Sequence, residues 1–177
     1  MILIIVDFQK DFISGSLAVK GAEKASMNLV NLMWTKKKEI SKVIFTADWH
    51  PINHCSFERN GGEWPIHCLQ YSDGASIDEL LLRNCYYNNT PYEVVTKGED
   101  PNKEEYGAFS FTKPYIPEGE EVVVCGIAGD YCVLHTLENL LYLKPKVFLK
   151  GIASIDGGTK LKEFIKEHDL DIFNVAD

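Results

Sequence analysis

Six apolar, β-type runs punctuate this chain, at residues 2–8, 42–48, 93–97, 121–127, 146–150 and 170–175. Most are close to continuously hydrophobic, the pattern of strands covered on both faces. Segments with helical spacing separate them. Ala25, Leu29, Leu32 and Met33 share one helical face, with Lys36 to Lys38 at the carboxyl end where the helix dipole favours cations. Ile77, Leu80 and Leu81 mark a second helix, Val133, Leu137, Leu140 and Leu141 a third, and Leu161, Phe164 and Ile165 a last one. The alternation predicts an α/β fold over residues 1–177, a single-domain three-layer α/β/α sandwich around a mainly parallel sheet of about six strands. Ligands of such sheets gather outside the carboxyl ends of the strands.

Composition narrows the partners. With 177 residues, 45% of them apolar, the chain can build a substantial core, and its formal charge of −8 offers nothing to a nucleic-acid backbone or an anionic membrane. The apolar start, Met1 to Val6, has no basic flank and is too short to span a bilayer, so it reads as a strand and the chain as cytoplasmic. Five cysteines, Cys55, Cys68, Cys85, Cys125 and Cys132, do not suggest a disulfide framework in that setting. Asn88-Asn89-Thr90 fits a glycosylation pattern that such a chain would not use.

Candidate chemistry sits where the sheet rule puts it. Asp7 closes the first run, Asp48 the second and Lys97 the third, and the turn from Gly126 to Cys132 follows the fourth. In Val122 to Val133, VVVCGIAGDYCV, a buried strand runs through a glycine turn and sets Cys132 at the start of a helix. Unpaired N–H groups there would stabilise a thiolate, and lowering a thiol from about 8.5 to about 7 is worth roughly 2 kcal/mol. The same groups suit a developing oxyanion. Asp48 and His50, two apart on an extended segment, point to one side, and His67 can join them. This set suits zinc, iron or manganese and leaves coordination positions open. His54 is either a further ligand or a residue that holds a metal-bound water, while His135 and His168 read as structural.

These residues resemble the nicotinamidases of the isochorismatase-like cysteine hydrolases. Val6-Asp7-Phe8-Gln9-Lys10-Asp11-Phe12 is similar to the family's opening D-x-Q-x-D-F, and Asp48 to Pro51, DWHP, to its metal motif. Trp64 to Cys68, WPIHC, resembles the segment of its distal histidine, and GIAGDYCV from Gly126 its nucleophile turn. The resemblance implies Cys132 as nucleophile, Asp7 as its base and Lys97 as the cation between them. It further implies a cis Ile127–Ala128 peptide, an oxyanion hole from the N–H groups of Ala128 and Cys132, and one divalent metal, zinc before iron or manganese, on Asp48, His50 and His67. Phe12, Leu17, Trp64 and Tyr106 match its ring pocket. The implied reaction turns nicotinamide into nicotinate and ammonia through a thioester, a step of NAD salvage. The implied partner is a small aromatic amide, and assembly into a homo-oligomer is left open.

Two departures stand out: Gly129, where the family commonly has threonine, and the acidic stretch Gly98 to Glu105, GEDPNKEE, which has no obvious match. Competing readings are a related hydrolase of another small amide or carbamoyl compound, and a noncatalytic ligand-binding homologue. A nucleotide-binding fold finds no G-x-G-x-x-G or P-loop.

Overall fold

The computed structural model describes residues 1–175. Five parallel strands, β1 (Ile2–Val6), β2 (Lys42–Asp48), β3 (Tyr92–Lys97), β4 (Val122–Ile127) and β5 (Lys146–Ala153), form one sheet in the order β3-β2-β1-β4-β5. The helices are a single turn α1 (Lys10–Ile13), α2 (Ala22–Thr35), α3 (Glu79–Asn88), α4 (Leu134–Leu140) and α5 (Thr159–Glu167). None among the described residues is long and apolar enough to cross a membrane.

Strand alternation sorts the core into two layers. Leu3 and Ile5 of β1 pack with Leu29, Leu32 and Met33 of α2 and Leu81 and Cys85 of α3. Ile2, Ile4 and Val6 face the other way, onto Leu137 and Leu140 of α4 and Leu161, Phe164 and Ile165 of α5. Every residue of β1 and β4 is buried, as expected of the two central strands, and each large aliphatic side chain so covered is worth roughly 1.5–3 kcal/mol. At their carboxyl ends these strands nearly touch. Gly126, at φ 133°, pairs with Val6, and a Cβ on it would lie 2.1 Å from the Val6 carbonyl oxygen. Only glycine lets the two strand ends, and hence Asp7 and the turn beyond β4, come this close.

The sheet has five strands where the runs predict about six. Residues 170–175 make a single parallel bridge, Ile172 to Val147, in which Val147 N–H donates to Asp171 O and Phe173 N–H to Val147 O, both at 2.9 Å. Asp171 and Asn174 are poor strand formers and interrupt the apolar run, so it never becomes a ladder. Smaller corrections concern element ends. The first run stops at Val6 because Asp7 adopts φ 47°, and β5 continues to Ala153. Ile77 precedes its helix, since Asp78 is the N-cap and its carboxylate accepts from Leu80 N–H at 2.8 Å. Leu141 lies in a short 3-10 turn after α4.

Candidate active site

Asp7, Asp48, Lys97 and Cys132 meet at the carboxyl edge of the sheet, all buried. Register explains it: Asp48 and Lys97 are neighbours across β2 and β3, and Asp7 and the turn after β4 emerge side by side from the paired ends of β1 and β4. Asp7 N–H donates to Thr46 O at 3.1 Å, and the Thr46 hydroxyl donates to Asp7 Oδ1 at 2.6 Å. Its other oxygen, Oδ2, lies 2.8 Å from Lys97 Nζ in an ion pair but has no well-directed hydrogen-bond partner. Lys97 Nζ is also 2.5 Å from Asp48 Oδ1 and 3.8 Å from Cys132 Sγ, and it donates to Glu105 O at 3.3 Å. Ligand-capable atoms of Asp7, Asp48 and Cys132 all fall within 4.8 Å of one another.

Cys132 is not at the free N-terminus of a helix. Residues Gly129–Val133 form one wide π-turn, closed by Val133 N–H to Ala128 O at 3.0 Å, and α4 starts only at Leu134. Single π-turns of this kind concentrate at functional sites. The preceding Ile127–Ala128 peptide is cis. A side chain at Gly129 would meet Ser154 Oγ at 2.1 Å, so the smallest residue fits where threonine is common.

The ionisation pattern departs from the sequence expectation of a lowered thiol. Burial pushes the Cys132 thiol well above its usual range. Lys97 pulls it down, but Asp7 and Asp48 push it up again. Burial likewise raises the Asp7 carboxyl, and the adjacent Lys97 only partly offsets that. Burial alone would raise Asp48 too, yet Lys97 and His50 hold it well below the ordinary carboxylate range. Burial works against the Lys97 ammonium, and Asp48, Asp7 and Cys132 together outweigh it, so the lysine stays charged. The resting arrangement is therefore a neutral thiol beside the Asp7 carboxyl group, whose hold on a proton burial strengthens.

A second cluster shares Asp48. Donor atoms of Asp48, His50 and His67 lie within 4.8 Å of one another, with His50 Nε2 3.5 Å from Asp48 Oδ2. His50 Nδ1 is 2.8 Å from Gly98 O and His67 Nδ1 is 2.7 Å from Pro65 O. A carbonyl can only accept, so Nδ1 carries the proton in both rings and each Nε2 lone pair is left for a cation. His54 differs. Its Nε2 must donate to Lys103 O at 3.1 Å, while Nδ1 accepts from Ser56 N–H at 3.2 Å and lies 2.8 Å from Ser56 Oγ. Both nitrogens are used within the protein, and the ring lies against His50 with centroids 4.1 Å apart. Burial and the neighbouring His50 push its pKa down to about 4.

Above both clusters opens a small, narrow cleft with a cavity volume of about 30 Å³. Phe12, Leu17, Trp64 and Tyr106 all line it, together with Cys132, Ala128 and the three metal-type donors. Trp64 Nε1–H donates to the Tyr106 hydroxyl at 3.0 Å. Sequence reasoning missed Val19, Glu104, Tyr131 and Ile155 in this wall. Tyr131 packs edge-on to Trp64 and adjoins Cys132, a position the nucleophile turn could have flagged. Ile155 is held there because buried Asp130 accepts from Ile155 N–H at 2.9 Å and Asp156 N–H at 3.1 Å. Stretch 98–105 proves to be the second wall: Gly98 O meets His50, Lys103 O meets His54, Glu105 O meets Lys97, and Glu104 faces the cleft. His135 stacks on the outer side of Tyr106, with centroids 5.7 Å apart, and pairs with Glu138.

Comparison with known proteins gives the family of the chain. Residues 1–149 match the isochorismatase domain. Nicotinamidase of Escherichia coli is 30% identical over 82% of this chain and 78% of its own length. The structure of the yeast nicotinamidase superposes with a TM-score of 0.83 at 27% identity, covering 98% of this chain and 99% of that one. Pyrazinamidase of Pyrococcus horikoshii, solved in complex with zinc, gives 0.77 at 28% identity and covers 98% of each chain. The chain belongs to the isochorismatase domain family, in its nicotinamidase branch.

Proposed function

We propose that this protein is a metal-containing cysteine amidohydrolase that converts nicotinamide to nicotinate and ammonia. The observation that carries this reading is one aromatic-walled cleft lined by both a thiol and a three-donor metal cluster, with a buried Asp–Lys pair against the thiol. Relatives with that activity, similar over most of their length, support it.

Cys132 is the nucleophile and Asp7 its base. As Sγ bonds to the amide carbon, the thiol proton passes to the carboxylate of Asp7, whose Oδ1 is fixed by Thr46 and whose Oδ2 has no other well-directed partner. The developing oxyanion is received by the N–H groups of Ala128 and Cys132. Asp7 then returns the proton to nitrogen, the C–N bond breaks and ammonia leaves. Water, deprotonated by Asp7, attacks the thioester, releasing nicotinate and restoring the thiol. Lys97 stays protonated throughout, and its charge opposes the rise that burial imposes on the Asp7 pKa. Asp48, His50 and His67 would hold one divalent ion, for which zinc is the reading we favour, and its Lewis acidity would serve to bind the pyridine nitrogen of the substrate. Phe12, Leu17, Trp64 and Tyr106 enclose the flat ring. No feature of the cleft favours a carbamoyl substrate, and a noncatalytic homologue would have no use for a buried lysine between two carboxylates and a thiol.

The test is ammonia release from nicotinamide by zinc-loaded protein and by the same protein after chelation. Release that drops at least about tenfold on chelation and returns with zinc is expected. No release from folded, zinc-loaded protein would overturn nicotinamide as the substrate.

Gly98 offers a second check on the metal cluster. Its φ is 66°, and a Cβ would lie 2.5 Å from His50 Cε1 and 2.7 Å from Nδ1. Gly98→Ala is expected to push the imidazole out of place and to weaken zinc retention by about tenfold or more, read as metal content after dialysis.

A further inference from the structure

The segment that follows β1 carries two polar residues with no part in the reaction, Gln9 and Asp11, and both reach backbone next to the metal-type donors. Gln9 is fully buried, and its amide grips Asp48 from both sides: Oε1 accepts from Asp48 N–H at 2.8 Å, and Nε2 donates to Asp48 O at 2.8 Å. The second Nε2 proton goes to Ala75 O at 2.9 Å. A primary amide thus pairs with Asp48 much as a neighbouring strand would, on the side of β2 where β1 has already ended. Asp11 acts one ligand further on. Its Oδ2 accepts from Cys68 N–H at 2.7 Å, at a residue held at φ 45° directly after His67, and its Oδ1 accepts from Ser16 N–H at 3.3 Å. Backbone closes around this carboxylate, since a Cβ on Gly74 would lie 2.1 Å from Oδ2 and one on Gly15 2.3 Å from Oδ1.

We infer that Gln9 and Asp11 are positioning residues of the metal centre, Gln9 setting the Asp48 ligand and Asp11 the His67 ligand through Cys68. This rests on the metal reading above. The segments bearing Asp48 and His67 meet at a bridge between His50 and Leu69, and the short stretch 9–11 contacts both of them. One element that bears Asp7, then a clamp on each of two ligands, fixes the spacing between thiol chemistry and metal by construction.

The test measures zinc affinity by chelator competition, and the visible absorption of the cobalt-substituted protein, in wild type, Gln9→Glu, Asp11→Ala and Asp11→Asn. Gln9→Glu keeps the acceptor for Asp48 N–H and loses both donated bonds. Asp11→Ala loses the acceptor for Cys68 N–H, and Asp11→Asn can restore it. The expected result is zinc affinity weakened about 10- to 100-fold in Gln9→Glu and Asp11→Ala, an altered cobalt spectrum in both, and recovery of most of the loss in Asp11→Asn. Circular dichroism identifies any variant that fails to fold. Should Gln9→Glu be one, the Asp11 pair, on a partly exposed residue, decides the matter. Folded variants with wild-type affinity and an unchanged cobalt spectrum would overturn the positioning roles alone. Wild-type protein that binds neither zinc nor cobalt would overturn the metal reading, and the positioning roles with it.

Discussion

Cys132→Ala is expected to release ammonia from nicotinamide at least about 10⁴-fold more slowly than the wild type, while keeping its fold and its metal. The magnitude follows from the chemistry: no other group in the cleft can form the thioester, and the four remaining cysteines lie outside it. The fold should survive because Cys132 sits in the π-turn with its thiol toward Lys97, where a methyl group removes one polar contact and leaves the carboxylate pairs of the lysine intact. Steady-state ammonia release, thermal unfolding and metal content measured together separate these effects. Turnover above a trace in a folded mutant would remove Cys132 as nucleophile.

Asp7→Asn should slow turnover by about 10²- to 10⁴-fold, the usual worth of a positioned proton-transfer group. A second consequence has the opposite sign. Asp7 is among the groups that hold the Cys132 thiol up, so removing its charge leaves Lys97 less opposed and lowers the thiol pKa. Alkylation of Cys132 by iodoacetamide should then begin at lower pH in Asp7→Asn than in wild type, although the amidase reaction has nearly stopped. Asparagine retains an oxygen to accept from Thr46, so the local backbone is preserved. The pair of measurements, alkylation rate against pH and ammonia release, distinguishes a lost proton carrier from a disturbed nucleophile. An unchanged turnover rate would remove Asp7 as base.

Much of this architecture is legible in the sequence. Continuous apolar runs name the strands that are buried on both faces, and the rule that ligands gather at carboxyl strand ends selects Asp7, Asp48 and Lys97. The spacing of Asp48 and His50 places two donors on one side of the chain, and His67 offers itself as a third. What stays hidden depends on relations between segments. Asp7 turns out of its strand into positive φ, and no local pattern announces that. The sequence sets a helix end beside the thiol and so predicts an acidic one. A π-turn stands there, and two buried carboxylates dominate its surroundings. Residues 170–175 look apolar enough for a strand, but the interspersed Asp171 and Asn174 limit them to one bridge. Glu104 enters the cleft wall because backbone carbonyls of its loop cap His50, His54 and Lys97, contacts that exist only in three dimensions.

Asp48 belongs to both clusters, and that sharing constrains how such a chain can diverge. His50 and His67 could each be exchanged, ending metal binding, while Lys97 kept both carboxylates and the thiol kept its neighbours. Losing Asp48 would cost the ion a ligand and at the same time leave a buried ammonium with a single counter-charge. A lineage that abandons the metal can therefore do so gradually through its histidines. The aspartate is the residue it must retain, or replace in step with the lysine.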